Sequence, residues 1–384
     1  MSKLPKKLEQ KLEKRRLEDA LRVLLGQQSL VDFSSNDYLG FAQNKELAKL
    51  TDEFLKEVGW SKNGSTGSRL LTGNHILYDE LEDFLPKYHN SESALVFNSG
   101  YDANIGFFSS IPQRGDIIFY DELVHASIRD GIQMSNAKSY KFNHNDFENL
   151  SKVIERSRND LIKDMEIYVV TESVFSMDGD SPDLETLVRF CGENSCHLIV
   201  DEAHAVGVFG EGKGLISQLG LEKEIFARII TFGKALGSHG AAVLCSNALK
   251  TYLVNFARSL IYTTALSPHT IASVLVAYSY MMKNGEVQRK KLRFNIDYFK
   301  AQIQSLELGK MFITSDSAIH CFVVPGNEKV KQLSKRLWEQ GFDVKPILSP
   351  TVKTGAERLR FCLHSYNTKE QIDSLFQIIG SKDE

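Results

Sequence analysis

One lysine, Lys234, stands just past a run of strand-forming residues in "RIITFGKALGSHGAAVLCS", residues 228–246, amid Ala, Leu, Gly and Ser. A charged lysine in apolar surroundings is costly. Such a side chain either snorkels to water or gives up its proton and becomes a nucleophile and base. Asp201 closes the apolar run "HLIV", His204 follows it by three positions, and Glu172 and Ser176 follow "IYVV". A strand-end aspartate often caps a helix and a single histidine is usually structural, so each residue alone has a bland reading. Two familiar labels fail here. "DEAH" at 201–204 spells a helicase motif and "GVFGEGKG" at 207–214 approaches a phosphate loop, but Gly214 stands where magnesium binding needs Ser or Thr. The loop also follows the acidic strand where it should precede it.

The elements that must position these residues are legible in the chain. From about residue 93, short apolar runs ("ALVFNSG", "DIIFYD", "EIYVVTESVF", "HLIVDEAHAVG", "RIITFG", "AAVLCS") alternate with amphipathic stretches such as "NLSKVIERSRNDLI" and "DLETLVRFCGENSC". Continuous apolar strands separated by helices predict a largely parallel sheet covered on both faces, with chemistry gathered beyond the strand C-terminal ends. Gly100, Glu172, Ser176, Asp201 and Lys234 all fall at that edge. A long segment from Tyr252 to Leu306 reads as mainly helical, and strands and helices then alternate to the end, as in a smaller α/β domain. The expected division is an N-terminal helix and arm over 1–45, a large domain over 46–274 and a small domain over 275–384.

With 384 residues, 42% hydrophobic, 25% charged and a net charge of −3, the chain is long enough for two packed units and has no basic excess for nucleic acid. No apolar run approaches a membrane span. The basic N-terminus carries leucines at helical spacing (Leu4, Leu8, Leu12), yet Glu9, Glu13 and Glu18 argue against a transit peptide and for a surface or subunit-clasping helix. Cys191, Cys196, Cys245, Cys321 and Cys362 are scattered and read as reduced core thiols, in keeping with a cytoplasmic protein. The spacing of Cys191 and Cys196 lacks a second paired cluster, so no metal site is expected.

The residues stop being separate when their flanking words are read in order: "NDYLG" (36–40), "NGSTGSRLLTGNHILYDELE" (63–82), "FNSGYDAN" (97–104), "DELVHASIRDG" (121–131), "TESVFSMDGD" (171–180), "VDEAHAVGVFGEGKG" (200–214), "TFGKALGSHGAAV" (231–243) and "FARSLIYTTALSP" (256–268). This series, running from about Leu17 to the last helix, resembles the α-oxoamine synthases, pyridoxal-phosphate enzymes of the aspartate aminotransferase fold (fold type I). The resemblance implies a large, mostly parallel sheet domain with a smaller C-terminal α/β domain, and pyridoxal 5'-phosphate as cofactor. Lys234 is then the residue that joins the cofactor aldehyde and handles the substrate α-proton. Asp201 sits against the pyridine nitrogen, His204 with Ser176 nearby bonds the phenolic oxygen, and His125 stacks on the ring. Gly100 and Tyr101 offer backbone N–H groups to the phosphate at a helix start, Thr231 adds a hydroxyl, and Thr264 reaches the phosphate from the other subunit of a homodimer with shared sites.

For the substrates, the resemblance makes Arg360 the guanidinium that grips the amino-acid carboxylate, with Asn36 as a second contact. Arg358 reads as structural. Arg22 resembles a substrate-side arginine, on a stretch shorter than the family's. Ser68 lies where glycine-using members carry Thr, leaving room for a methyl. The implied reaction is a decarboxylative condensation of L-alanine with a pimeloyl thioester, of CoA or a carrier protein, as in biotin synthesis. Glycine C-acetyl transfer is the alternative within the family, and a catalytically silent cofactor-binding subunit is an alternative outside catalysis.

Overall fold

The computed structural model describes residues 4–18, 20–24, 26, 29–157 and 165–380. It divides into two compact units, one of residues 36–176 and 180–292, the other of residues 1–35, 177–179 and 293–384. The boundary between them falls between residues 292 and 293, inside the unbroken helix Pro268–Ser305, and the division expected from the sequence, between 274 and 275, falls nearer the start of that same helix.

The first strand, β1 (Val31–Asp32), belongs to the smaller unit. The larger unit is built on β2 (Ser93–Phe97), β3 (Ile117–Asp121), β4 (Lys138–Phe142), β5 (Ile167–Glu172), β6 (His197–Asp201), β7 (Ala227–Thr231) and β8 (Ala241–Cys245). Their order across the sheet is β2-β8-β7-β6-β5-β3-β4. The pairs β3/β4, β3/β5, β5/β6 and β6/β7 are parallel. β8 alone runs against its two neighbours. The link from β7 to β8 contains no helix and is too short for the crossover a parallel return requires, so the chain turns back as a hairpin that carries Lys234. The ends of β5, β6 and β7 and the start of β8 therefore share one edge.

Alternation along the strands feeds two cores, as pleated geometry requires. Ile118, Val170, Ile199 and Ile229 face one, together with Phe107 and Ile128 from the helices Gly100–Ser110 and Ala126–Met134. Ile117, Phe119, Val169, Leu198 and Val200 face the other, with Leu150 and Ile154 of the helix Phe147–Ser157 and Leu187 of Leu184–Glu193. The last residues of "NLSKVIERSRNDLI" lie outside the described residues. β4 closes the sheet and is mostly exposed, including Lys138 and Lys141.

Near the functional edge, His144 is clamped by two acids. Nδ1 lies 2.9 Å from Asp121 and Nε2 2.8 Å from Asp180, with the ring edge-on to Phe175. Burial opposes its charge, but the bonds to Asp121 and Asp180 outweigh that and raise its pKa to about 10. The folded value exceeds the ordinary 6.5, so the clamp's stabilisation is complete below about pH 6.5 and is lost as pH rises through about 10. His144→Gln is expected to cost about 3 kcal/mol near neutrality, as for a partly buried ion pair losing one partner. In urea unfolding the gap to the unmodified protein should shrink between pH 7 and pH 10; a constant gap would show that charge is not what the clamp contributes.

The smaller unit holds a three-stranded antiparallel sheet. Its strands are β9 (Ile319–Val323), β11 (Lys345–Ile347) and β12 (Arg358–Cys362), in the order β11-β12-β9. β1 pairs in parallel with β10 (Phe342–Asp343) beside it. Residues 177–179 belong here because Arg358 is ion-paired with Asp178, Cys321 Sγ donates to the Met177 carbonyl and Ser315 Oγ to that of Gly179. Gly179 has φ +76°, and a Cβ there would meet the Ile319 carbonyl oxygen at 2.2 Å, so glycine is required. All five cysteines are free thiols. Burial pushes the Cys245 thiol up to about 12 and the Cys191 and Cys321 thiols up as well, as inert core positions require. Among the described residues, no helix is long and apolar enough to cross a membrane.

Candidate active site

At the shared strand edge of the larger unit lies a cavity of about 290 Å³. Lys234, Asp201, His125, His204, Gly100, Tyr101, Thr231 and Asn36, all singled out from the sequence, line it. Each stands at the end of a strand or within a few residues beyond one. Asp201 ends β6, and its carboxylate accepts the Ala203 N–H at 2.9 Å and the Asn104 side-chain amide at 3.0 Å. Thr231 ends β7, and half-buried Lys234 lies three residues on in the hairpin to β8. His204 Nδ1 lies 2.7 Å from the hydroxyl of the buried Tyr38.

The helix Gly100–Ser110 starts at the cavity because Ser99 caps it, accepting the Asp102 N–H at 3.0 Å. A Cβ on Gly100 would come within 2.7 Å of Thr231 Cγ2, so only glycine lets the helix start approach β7 this closely. The result is a cradle of backbone N–H groups and a hydroxyl at the positive end of a helix, a setting suited to an anion. Tyr101 is half-exposed and its hydroxyl donates to Asp130 at 2.8 Å.

Glu172, Asn104, Ser127, Ser99 and His239 also line the cavity, and no role was assigned to them from the sequence. Asn104 had a readable signal: four residues after Gly100, it falls on the same helix face one turn further in. Glu172 is register partner to Asp201, and its carboxyl accepts the His125 N–H at 2.6 Å. Burial, then the neighbouring Asp201, pushes the Glu172 carboxyl up to about 8, against the opposing pull of Lys234 and two backbone N–H groups. Burial holds His125 below its ordinary value, only partly offset by Asp201.

Five expected residues of the set have other surroundings. Ser176 is buried and gives its N–H to Glu172. Ser68 is half-buried and precedes the π-helical turn Arg69–Gly73, its carbonyl accepting from Leu71 and Gly73. Thr264 is exposed, and its carbonyl accepts from Asn98 at 2.6 Å. Arg360 lies on β12 in the smaller unit, with Nη1 2.8 Å from Cys362 Sγ, and Arg22 is an exposed residue of that unit's N-terminal arm.

A lysine and an aspartate at adjoining strand ends, two histidines and a glycine-started helix are what a phosphorylated pyridine aldehyde needs for its carbon, ring nitrogen, oxygen, face and phosphate. The buried Asn104 Oδ1, which has no hydrogen-bond partner, adds a polar atom at the cavity wall. The family described as aminotransferase class I and II matches residues 28–379, and the chain belongs to that family. Within it, the chain is similar to the 8-amino-7-oxononanoate synthase of Emericella nidulans, 40% identical over 96% of this chain and 93% of that protein. It is 36% identical to that of Lysinibacillus sphaericus, over 93% and 90%. Among solved structures, the 8-amino-7-oxononanoate synthase of Francisella tularensis has a TM-score of 0.76 at 30% identity, covering 92% of this chain and 97% of that one. A serine palmitoyltransferase of Sphingomonas wittichii has a TM-score of 0.88 at 25% identity, covering 99% and 98%.

Proposed function

We propose that the chain is a pyridoxal-phosphate-dependent acyltransferase that condenses L-alanine with a pimeloyl thioester, releasing carbon dioxide and thiol and giving 8-amino-7-oxononanoate for biotin synthesis. The observation that carries this reading is the convergence of Lys234, Asp201, His125 and His204 on one cavity in a chain 40% identical to such a synthase over nearly its whole length. When bound, the cofactor supplies an aldehyde that takes the amino group and a ring that accepts electrons from Cα.

The protein's part is to bind, orient and move protons. Asp201, whose carboxylate accepts the Ala203 N–H and the Asn104 side-chain amide, places its charge for the ring nitrogen, while His204 serves the phenolic oxygen and His125 the ring face. The N–H groups of Gly100 and Tyr101 and the Thr231 hydroxyl hold the phosphate, with Ser176 supporting the phenolic side. The freed amine of Lys234 takes the proton from the alanine α-carbon and later returns one. Arg360 and Asn36, with Arg22 on the substrate side, fix the carboxylate so that the bond to be broken stands across the ring plane. Ser68 leaves room for the alanine methyl. The working form is a cytoplasmic homodimer in which Thr264 of the partner subunit completes the phosphate site, and the acyl group arrives on CoA or a carrier protein.

Steady-state kcat/KM for alanine and glycine, each with pimeloyl and acetyl thioesters, tests the reading. The alanine and pimeloyl pair should be best. A single methyl is worth about 1 to 3 kcal/mol, so alanine should lead glycine by roughly 10- to 200-fold, a leaky preference. An optimum with glycine and acetyl thioester would replace the substrate assignment with glycine C-acetyl transfer.

A further inference from the structure

Asp201, Asn104, Ser127 and His125 form a continuous hydrogen-bonded chain along the cavity wall. Asn104 Nδ2 lies 3.0 Å from Asp201 Oδ2 and 3.0 Å from Ser127 Oγ, and Ser127 Oγ lies 2.7 Å from His125 Nδ1. The backbone N–H of Ser127 also points at Nδ1, at 3.2 Å. Asn104 is 2% exposed, Ser127 0% and Asp201 6%, so water does not compete for these bonds.

Donor and acceptor rules set the direction of every bond. An ionised Asp201 only accepts, so the asparagine must turn its NH₂ toward it; the reverse orientation would set a carbonyl oxygen against a carboxylate. The second N–H of the same amide goes to Ser127 Oγ, and because the Ser127 backbone N–H already makes His125 Nδ1 an acceptor, the hydroxyl at 2.7 Å from Nδ1 donates its own proton there. A backbone N–H can only donate, so Nδ1 receives two donors and must be a lone pair. The ring proton is left on Nε2.

We infer that Asn104 and Ser127 are positioning residues that hold His125 as the neutral Nε2–H tautomer, using the charge of Asp201 as the anchor that sets the polarity of the chain. Forming the imidazolium would require a proton on Nδ1, aimed into two donors. His125 therefore meets the cavity as a hydrogen-bond donor at Nε2. Burial acts in the same direction on its pKa. The charged groups around the ring are Asp201 from β6, Lys234 from the hairpin after β7, and Arg129 and Asp130 from its own helix, while Glu172 on β5 holds its backbone N–H.

The test is ¹⁵N NMR of the full-length protein labelled at histidine, with and without saturating pyridoxal phosphate, His125 being assigned by difference against His125→Asn. At pH 7.5 the expected signature is one pyridine-like nitrogen at Nδ1 and one protonated nitrogen at Nε2, with a titration midpoint below the ordinary 6.5. In Ser127→Ala and in Asn104→Leu, each checked for folding by circular dichroism, the ring should show mixed tautomers and a midpoint higher by about one unit. A purely structural role for either residue would lower stability and leave tautomer and midpoint unmoved. An Nδ1–H or doubly protonated His125 in the unmodified protein at pH 7.5 overturns the inference. An unchanged tautomer and midpoint in both folded variants overturns it equally.

Discussion

Lys234→Ala is expected to abolish turnover while leaving the fold intact. Lys234 is a half-buried member of a hairpin whose neighbours Ala235 and Leu236 supply the packing, so removing its side chain costs the structure little. The proposed chemistry asks it to carry the proton of the alanine α-carbon, and losing a positioned proton-transfer group costs on the order of 10² to 10⁴ in rate. Losing the nitrogen that holds the cofactor adds to this. Two measurements check the assignment independently of activity. The unmodified protein saturated with pyridoxal phosphate should absorb visible light. Sodium borohydride followed by peptide mapping should then find the pyridoxyl label on Lys234. A label on another lysine would remove Lys234 from its role.

Asp201→Asn is expected to separate cofactor binding from catalysis. The substitution keeps the shape and an acceptor for the Ala203 N–H, but it removes the charge that keeps a pyridine nitrogen protonated. It also sets one amide against another at Asn104, which accepts nothing from its present Nδ2 position. Exchange of the alanine α-proton with solvent should fall by on the order of 10² to 10³, as for loss of a buried charge that stabilises the transition state. The dissociation constant for pyridoxal phosphate, still held through its phosphate, should rise by no more than about tenfold, or about 1.4 kcal/mol. Undiminished exchange in Asp201→Asn would defeat the role given to this residue.

Much of the architecture could be read from one property of the chain, the continuous apolar runs that become β3, β5, β6 and β7. Parallel strands buried on both faces leave no other pattern, and their last residues are where Glu172, Asp201 and Thr231 stand. The resemblance of the flanking words then singled out Lys234, His125 and His204. Three features were harder to read, each because it depends on how the folded chain connects or brings residues together and not on residue type. The reversal of β8 follows from the length of one connection, since its residues are as apolar as those of a parallel strand. The placement of 177–179 with the smaller unit follows from the Arg358–Asp178 pair, formed between residues far apart in sequence. Asn104 and Ser127 carry no chemistry of their own, so their part becomes visible only once Asp201 and His125 are seen at either end of them.

The exposed outer strand of the large sheet has a consequence for colloidal behaviour. A rim strand displays unpaired backbone groups that will template any extended segment they meet, and sheets rich in Val and Ile are the most hazardous partners. Here the rim is β4, "KSYKF", with Lys138 and Lys141 exposed, while the apolar strands sit inside or, at the opposite rim, are wholly buried. Lysine ammonium groups brought strand to strand repel one another and would lose their water. The same placement that leaves β4 half out of the core thus sets charge against strand addition at this rim of the sheet.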